Sequence, residues 1–188
     1  MRRISSAALI MTVALVFTVT AQADQDGKKV FGWVEKATIE SWDVEMKAKL
    51  DSGALTSSMQ ATDIENFTKD GEDWVRFTVD VEDADSGKKV ERRYEKPLFR
   101  DLTVRGAGGK DERPVVLMKI CMGDTVYEEQ FSLRDRSEML YPVLLGRRTI
   151  QHLGLLDVTS TFQNPPTCDD GSAVKHNKDQ KDDEDIGD

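Results

Sequence analysis

Met46-Lys47-Ala48-Lys49-Leu50-Asp51-Ser52-Gly53-Ala54-Leu55-Thr56-Ser57-Ser58 is the stretch that decides how this chain is read. Met46, Ala48 and Leu50 alternate with Lys47 and Lys49, the period of a strand with one buried face. The strand is predicted to break at Asp51. Ser52 and Gly53 supply a tight turn, the glycine because it takes backbone angles that other residues avoid. Thr56-Ser57-Ser58 leads back into structure. Asp51 is therefore a carboxylate on a short loop at a strand end. That form suits acid–base chemistry and also suits an ordinary turn, so the flanking chain has to choose between them.

The N-terminus has the form of an export signal. Arg2 and Arg3 precede an apolar run over 7–19, and Ala21-Gln22-Ala23 is a small-x-small cleavage site before Asp24. The run is shorter than the roughly 20 apolar residues of a membrane-spanning helix. Residues 1–23 are thus expected to be removed, and the mature chain to be periplasmic with no membrane span. Losing the two arginines takes the net charge from −9 to −11. That balance speaks against nucleic acid, whose phosphates call for a basic surface. Part of the excess is local. Residues 169–188 hold eight acids against Lys175, Lys178 and Lys181, and few apolar residues, so 164–188 is expected to be a disordered acidic tail.

The 140 residues of 24–163 suffice for one domain with its own core. A strand is predicted over 30–38, and a second, ending at Leu50, follows a short turn at Ser41-Trp42-Asp43. After the Asp51 loop, 59–67 reads as a connection or short strand. Val75, Phe77, Val79 and Val81 then alternate with Arg76, Thr78 and Asp80, and 90–98 returns to make a long hairpin with a charged outer face. Residues 105–110 are glycine-rich, but they lack the setting of a dinucleotide or phosphate loop and read as a flexible loop. Two more strands, 114–122 and 125–133, are joined at Gly123-Asp124, a good hairpin turn. Val143-Leu144-Leu145 is apolar on consecutive positions, as in a strand covered on both faces, and Gly146 follows where a close backbone approach is called for. Residues 147–153 are predicted to form a short helix with Ile150 and Leu153 inward, stopped by Gly154, before a last strand over 155–159. Strands in hairpins with one short helix near the C-terminal end make an all-β domain.

Leu50-Asp51-Ser52-Gly53-Ala54 resembles the Asp-Thr/Ser-Gly-Ala motif of retropepsins, and Val143-Leu144-Leu145-Gly146-Arg147 with its short helix resembles the apolar-apolar-Gly motif of the same fold. Together with Gly32-Trp33-Val34-Glu35, Lys47-Ala48-Lys49, Glu112-Arg113-Pro114-Val115-Val116 and 135–148, the sequence is similar to a bacterial subgroup of retropepsin-like aspartic endopeptidases. That subgroup has also carried the label ATP-dependent zinc protease, and its name is associated with glutamate ligases of ribosomal protein modification. The resemblance implies a closed β-barrel of the acid-protease type. It implies Asp51 as the catalytic acid, Ser52, Gly53, Ala54 and Thr56 as its supporting loop, and Leu144, Leu145, Gly146 and Arg147 as the supporting strand. Two positions depart from the subgroup. Leu55 stands where a basic residue usually follows the motif, and Gln60 where a His appears.

No zinc or ATP cofactor is expected from the residues. The chain has two histidines, His152 and His176, without His-Glu-x-x-His or Cys/His ligand spacing, and His152 is expected at the surface or as a helix cap. Cys121 and Cys168 are free to pair in an oxidising compartment, and Cys121 is equally suited to be a buried thiol. An aspartic peptidase needs two carboxylates sharing one proton, and this chain offers one Asp-Ser-Gly loop. The reading is thus an exported endopeptidase acting on a peptide or protein, with Asp51 paired across a homodimer. The 74–98 hairpin or the 105–110 loop would cover the substrate. The alternatives are a non-catalytic periplasmic binding or assembly module with Asp51 as a turn acid, and a metal-dependent hydrolase built on Asp and Glu.

Overall fold

The architecture was obtained from a computed structural model, which describes residues 28–39, 42–106 and 109–179. The expected signal peptide lies outside the described residues, as does the densest acidic run, 182–185. In chain order the elements are β1 (Lys29–Ile39), β2 (Trp42–Leu50), β3 (Ser57–Gln60), β4 (Thr62–Lys69), β5 (Glu72–Glu82), β6 (Lys89–Pro97), β7 (Arg100–Gly106), β8 (Gly109–Met122) and β9 (Thr125–Arg134). They continue with β10 (Val143–Leu145), the α-helix α1 (Arg147–Leu153), β11 (Gly154–Thr161) and β12 (Ala173–Lys175).

β1 and β2 are antiparallel, with Val34 opposite Lys49 and Glu35 opposite Ala48. Alternation along β2 buries Val44, Met46, Ala48 and Leu50 and leaves Lys47 exposed. β10 lies between β2 and β3, parallel to the first and antiparallel to the second. β3 continues parallel to β9, and β9 antiparallel to β8. The far end of β8 then meets the end of β1, with Thr38 opposite Cys121 and Ile39 opposite Ile120, so the pairings return to their starting strand. Inside this ring lie Phe31, Met46, Ala48, Met59, Met118, Ile120, Tyr127, Phe131, Leu133 and Leu145, all essentially without solvent contact.

β4, β5 and β6 form a second sheet. The face of β5 bearing Val75, Phe77, Val79 and Val81 is buried in the same core, and Tyr94 of β6 stacks on Phe77 at 5.6 Å. Burying four such side chains contributes several kcal/mol, so the expected long hairpin is a fixed second layer rather than a free arm. The start of its tip is tied to β2, since Glu45 N–H donates to Asp83 Oδ2 at 2.9 Å and Ala84 N–H donates to the Glu45 carbonyl at 2.7 Å.

Three stretches differ from the expectation. The glycine-rich 105–110 segment is the end of a hairpin, since β7 and β8 pair from Arg100–Val115 out to Gly106–Gly109. β8 begins at Gly109 rather than at the expected 114, because residues 109–112 are exposed and mostly charged and lack the alternation that marks a half-buried strand. β7, where Leu102 and Val104 alternate with Asp101 and Thr103, is a strand the sequence reading did not name. The 59–67 connection is two strands, β3 and β4. Within the segment expected to be a disordered tail, residues 168–177 are tied to the body, and 180–188 lie outside the described residues. A Cys121–Cys168 disulfide fastens them, β12 pairs with β9, and Asn177 N–H donates to the Glu128 carboxylate at 3.2 Å. A covalent tether lowers the entropy lost when such a polar segment is ordered.

Candidate active site

Asp51 follows the last residue of β2, and its neighbours hold both its backbone and its carboxylate. Its N–H donates to the Leu145 carbonyl at 2.8 Å, carrying the β2–β10 pairing one residue further. Its own carbonyl accepts the Ala54 N–H at 3.1 Å and closes the turn. Gly53 N–H donates to Asp51 Oδ1 at 2.9 Å, and Lys49 Nζ donates to Oδ2 at 3.1 Å. The Asp51 side chain is 27% exposed, so solvent and a substrate can reach it. Burial pushes its carboxyl up, but the Lys49 ammonium and the Gly53 and Ala54 N–H groups outweigh that and hold it below the ordinary aspartate value. A single chain thus presents an ionised acid whose charged partner is a lysine.

The helix start carries the loop from below. Arg147 N–H donates to the Ala54 carbonyl at 2.8 Å, Arg148 N–H to the Leu55 carbonyl at 3.2 Å, and the Arg147 guanidinium to the Ser52 carbonyl at 2.9 Å. Gly146 is where loop and helix touch. A Cβ there would lie 2.6 Å from the Leu55 carbonyl oxygen and 2.8 Å from the Thr56 carbonyl carbon. Thr56 Oγ1 accepts from Arg100 at 3.1 Å, and Leu144 sits in register between Lys49 and Ser58. Asp51, Ser52, Gly53, Ala54, Thr56, Leu144, Leu145, Gly146 and Arg147 therefore meet at one end of the β2–β10–β3 unit.

The two departures from the subgroup have local explanations. Leu55 gives its backbone carbonyl to the helix, a bond that asks nothing of its side chain. Gln60 is buried. Its amide donates to Asp80 Oδ1 at 2.9 Å and its carbonyl accepts the Arg136 N–H, so it struts the 135–142 segment against β5.

A cleft of about 790 Å³ opens between the β5–β6 tip and that segment, lined by Lys47, Gln60, Lys89, Arg136, Leu140 and Pro142 among others. Asp51 is outside its lining. Arg136 links the two places, because it lines the cleft and feels the negative charge of Asp51. The Arg136 residue is 7% exposed, and its Nε donates to the Tyr141 carbonyl at 3.2 Å. Among the described residues no carboxylate forms a salt bridge with it. Burial, with Arg134 and Arg113 nearby, draws its pKa below the ordinary arginine value.

Sequence reasoning missed a buried polar group beneath the loop, formed by Ser57, Ser132, Thr149, Glu129 and His152. His152, expected at the surface or as a cap, has a side chain only 7% exposed, with Nδ1 3.0 Å from Glu129 Oε1. The signal that could have found the group is Glu129 itself, an acid on the face of β9 that otherwise carries Tyr127, Phe131 and Leu133. Among the described residues no three His, Cys, Asp or Glu side chains are grouped to hold a metal ion.

Comparison with known proteins gives this geometry its context. The sequence profile of the RimB-like family, described as retropepsin-like aspartic endopeptidase RimB, matches residues 30–167. A solved structure of a Legionella pneumophila protein of unknown function is 34% identical, with a TM-score of 0.61, over 71% of this chain and 96% of that one. Proteins named "Probable alpha-L-glutamate ligase" from Shewanella pealeana and Desulfotalea psychrophila are 30% and 32% identical over 118 and 113 residues, or 62% and 60% of this chain. The chain spans only about a quarter of the length of those relatives (25% and 24%). A profile match across most of the domain, with the Asp51 loop and the Gly146 strand braced against each other, means that this chain belongs to the RimB-like family of retropepsin-like proteins.

Proposed function

We propose that the chain is an exported aspartic endopeptidase that works as a homodimer, with Asp51 of each subunit meeting across a two-fold axis. The observation that carries this reading is the Asp51 loop, whose carboxylate is solvent-accessible while its backbone is pinned by Leu145, Ala54 and Arg147. Two carboxylates brought to about 3 Å share one proton. The ionised member takes a proton from water as the water oxygen attacks the scissile carbonyl carbon. The protonated member hydrogen-bonds the carbonyl oxygen, which gains the electron pair of the C=O bond. The protonated member's proton passes to that oxygen to give a diol. Collapse of the diol breaks the C–N bond as the carboxyl that took the water proton hands it to the leaving nitrogen and a diol hydroxyl returns its proton to the other carboxylate. The Cys121–Cys168 disulfide supports an oxidising compartment, in keeping with the signal-like N-terminus.

Lys49 gives the pH dependence a direction. Its ammonium holds Asp51 ionised to lower pH, so Lys49→Met raises the pKa of the base. The acid limb of the kcat/KM profile is then expected to move to higher pH, while Lys49→Arg leaves it near its wild-type place. A profile unchanged in Lys49→Met would show that Lys49 leaves Asp51 when substrate or a second subunit arrives.

Arg136 supports an acidic substrate. A buried guanidinium in a cleft is stabilised by an anion that completes its hydrogen bonds. The name glutamate ligase, borne by relatives that share this domain, fits the same chemistry. Arg136→Met is expected to raise KM about tenfold or more for a glutamate-rich peptide, the worth of one charge-assisted hydrogen bond. A neutral peptide is expected to change little. Equal effects on the two peptides would remove Arg136 from substrate recognition. Cleavage that requires Asp51 tests the whole proposal, and unimpaired binding of a periplasmic partner without cleavage would favour the binding-module reading.

A further inference from the structure

Beneath the Asp51 loop the hydrogen bonds form one continuous buried chain. Gly146 N–H donates to Ser57 Oγ at 3.0 Å. Ser57 Oγ lies 2.8 Å from Thr149 Oγ1, and Thr149 Oγ1 donates to Glu129 Oε2 at 3.2 Å. On the other side of the carboxylate, His152 Nδ1 lies 3.0 Å from Oε1. Ser132 Oγ steadies the start of the chain by donating to the Ser57 carbonyl at 3.0 Å. Ser57, Thr149 and Glu129 are each 1% exposed.

A carboxylate accepts hydrogen bonds and does not donate them, whereas a hydroxyl does both. With Glu129 as the terminal acceptor, Thr149 points its proton at Glu129, Ser57 points its proton at Thr149, and the free lone pairs of Ser57 face Gly146. The order of the whole chain is thus set from its acidic end, and bonds aligned in this way polarise and strengthen one another. The chain also ends at a sensitive place. Gly146 is in backbone contact with Leu55 and Thr56, and the next two residues hold the Ala54 and Leu55 carbonyls. A shift of the helix start is therefore handed directly to the turn that carries Asp51. Ser57 Oγ is the acceptor of the Gly146 N–H, so the polar chain fixes the direction of that bond.

We infer that Glu129, acting through Thr149 and Ser57 and itself held by His152, is a positioning residue that sets the placement of the Asp51 loop. The inference deepens the peptidase reading and rests on it for its kinetic consequence only. The substrate cleft between the β5–β6 tip and 135–142 does not touch the chain, so a loosened chain should act on turnover and leave substrate binding alone. Misplacing a reacting group by a fraction of an ångström to an ångström lowers rates by about ten- to a hundredfold.

The test uses the full mature chain with Thr149→Val, Thr149→Ser and Glu129→Leu. Two readouts are followed: kcat and KM on a cleaved peptide, and amide hydrogen exchange at Gly146 with Phe77 and Val79 of β5 as controls. Thr149→Val, which keeps the shape of the side chain, is expected to lower kcat about tenfold or more with KM within about twofold. Gly146 exchange is expected to rise about tenfold or more, with the β5 amides unmoved. Thr149→Ser should restore both readouts. Glu129→Leu should behave as Thr149→Val, and if it does not fold the valine variant decides. A lower melting temperature with kcat and Gly146 exchange unchanged would make the chain a purely structural filler and overturn the inference, as would failure of serine to rescue. If the wild-type chain cleaves nothing, the peptidase reading fails by itself, and Gly146 exchange in the same variants still decides whether the chain holds the loop.

Discussion

Asp51→Asn is expected to lower kcat by about 10²- to 10⁴-fold, the contribution of a positioned acid–base group. The amide cannot take a proton from water. It can still accept the Gly53 N–H through Oδ1, so the turn keeps its shape. The ion pair with Lys49 is lost, but both partners are partly solvated, at 37% and 27% exposure, and such pairs are worth at most about 1 kcal/mol. The variant should therefore melt close to wild type and fail to cleave. Peptide hydrolysis followed beside thermal unfolding on the same samples checks both halves. A variant that cleaves as fast as wild type would show that Asp51 is a turn acid and nothing more.

Gly146→Ala is expected to destabilise the fold by about 3 kcal/mol. The added methyl would lie 2.6 Å and 2.7 Å from the Leu55 carbonyl oxygen and carbon, and 2.8 Å from the Thr56 carbonyl carbon. These are backbone atoms and cannot turn aside as a long side chain can. Relief needs the loop and the helix start to part, which breaks the Arg147–Ala54 and Arg148–Leu55 bonds. At about 2–4 °C per kcal/mol for a domain of this size, the melting temperature should fall by about 6 °C or more. Amide exchange should rise first at Arg147 and Arg148, the donors of those two bonds. Unchanged stability would mean that loop and helix are less closely joined than the structure places them.

The features legible in the sequence were those with a strong local period. The alternation of β2, the consecutive apolar residues of β10, the β5–β6 hairpin and the bounds of α1 follow from side chains that have only one place to go. The Asp51 loop and Gly146 could be joined because a family resemblance linked two motifs far apart in the chain. What escaped was polar. Ser57, Thr149 and Glu129 look like surface residues one by one, and only their convergence from β3, α1 and β9 makes a buried network of them. Arg136 is similar. It stands in the run Asp135-Arg136-Ser137-Glu138, and the packing of that run on Gln60 buries it. Ordering of the segment after 163 depended on the Cys121–Cys168 pairing, which spacing left open.

The pairing of two Asp51 carboxylates is tested most directly by mixing. Wild-type chain and Asp51→Asn chain are combined at constant total concentration, allowed to exchange subunits, and assayed for peptide cleavage across the range of mole fractions. A shared-proton pair requires both subunits to carry the aspartate, so activity should fall as the square of the wild-type fraction. A linear fall would place a complete catalytic site in each chain and contradict the paired mechanism.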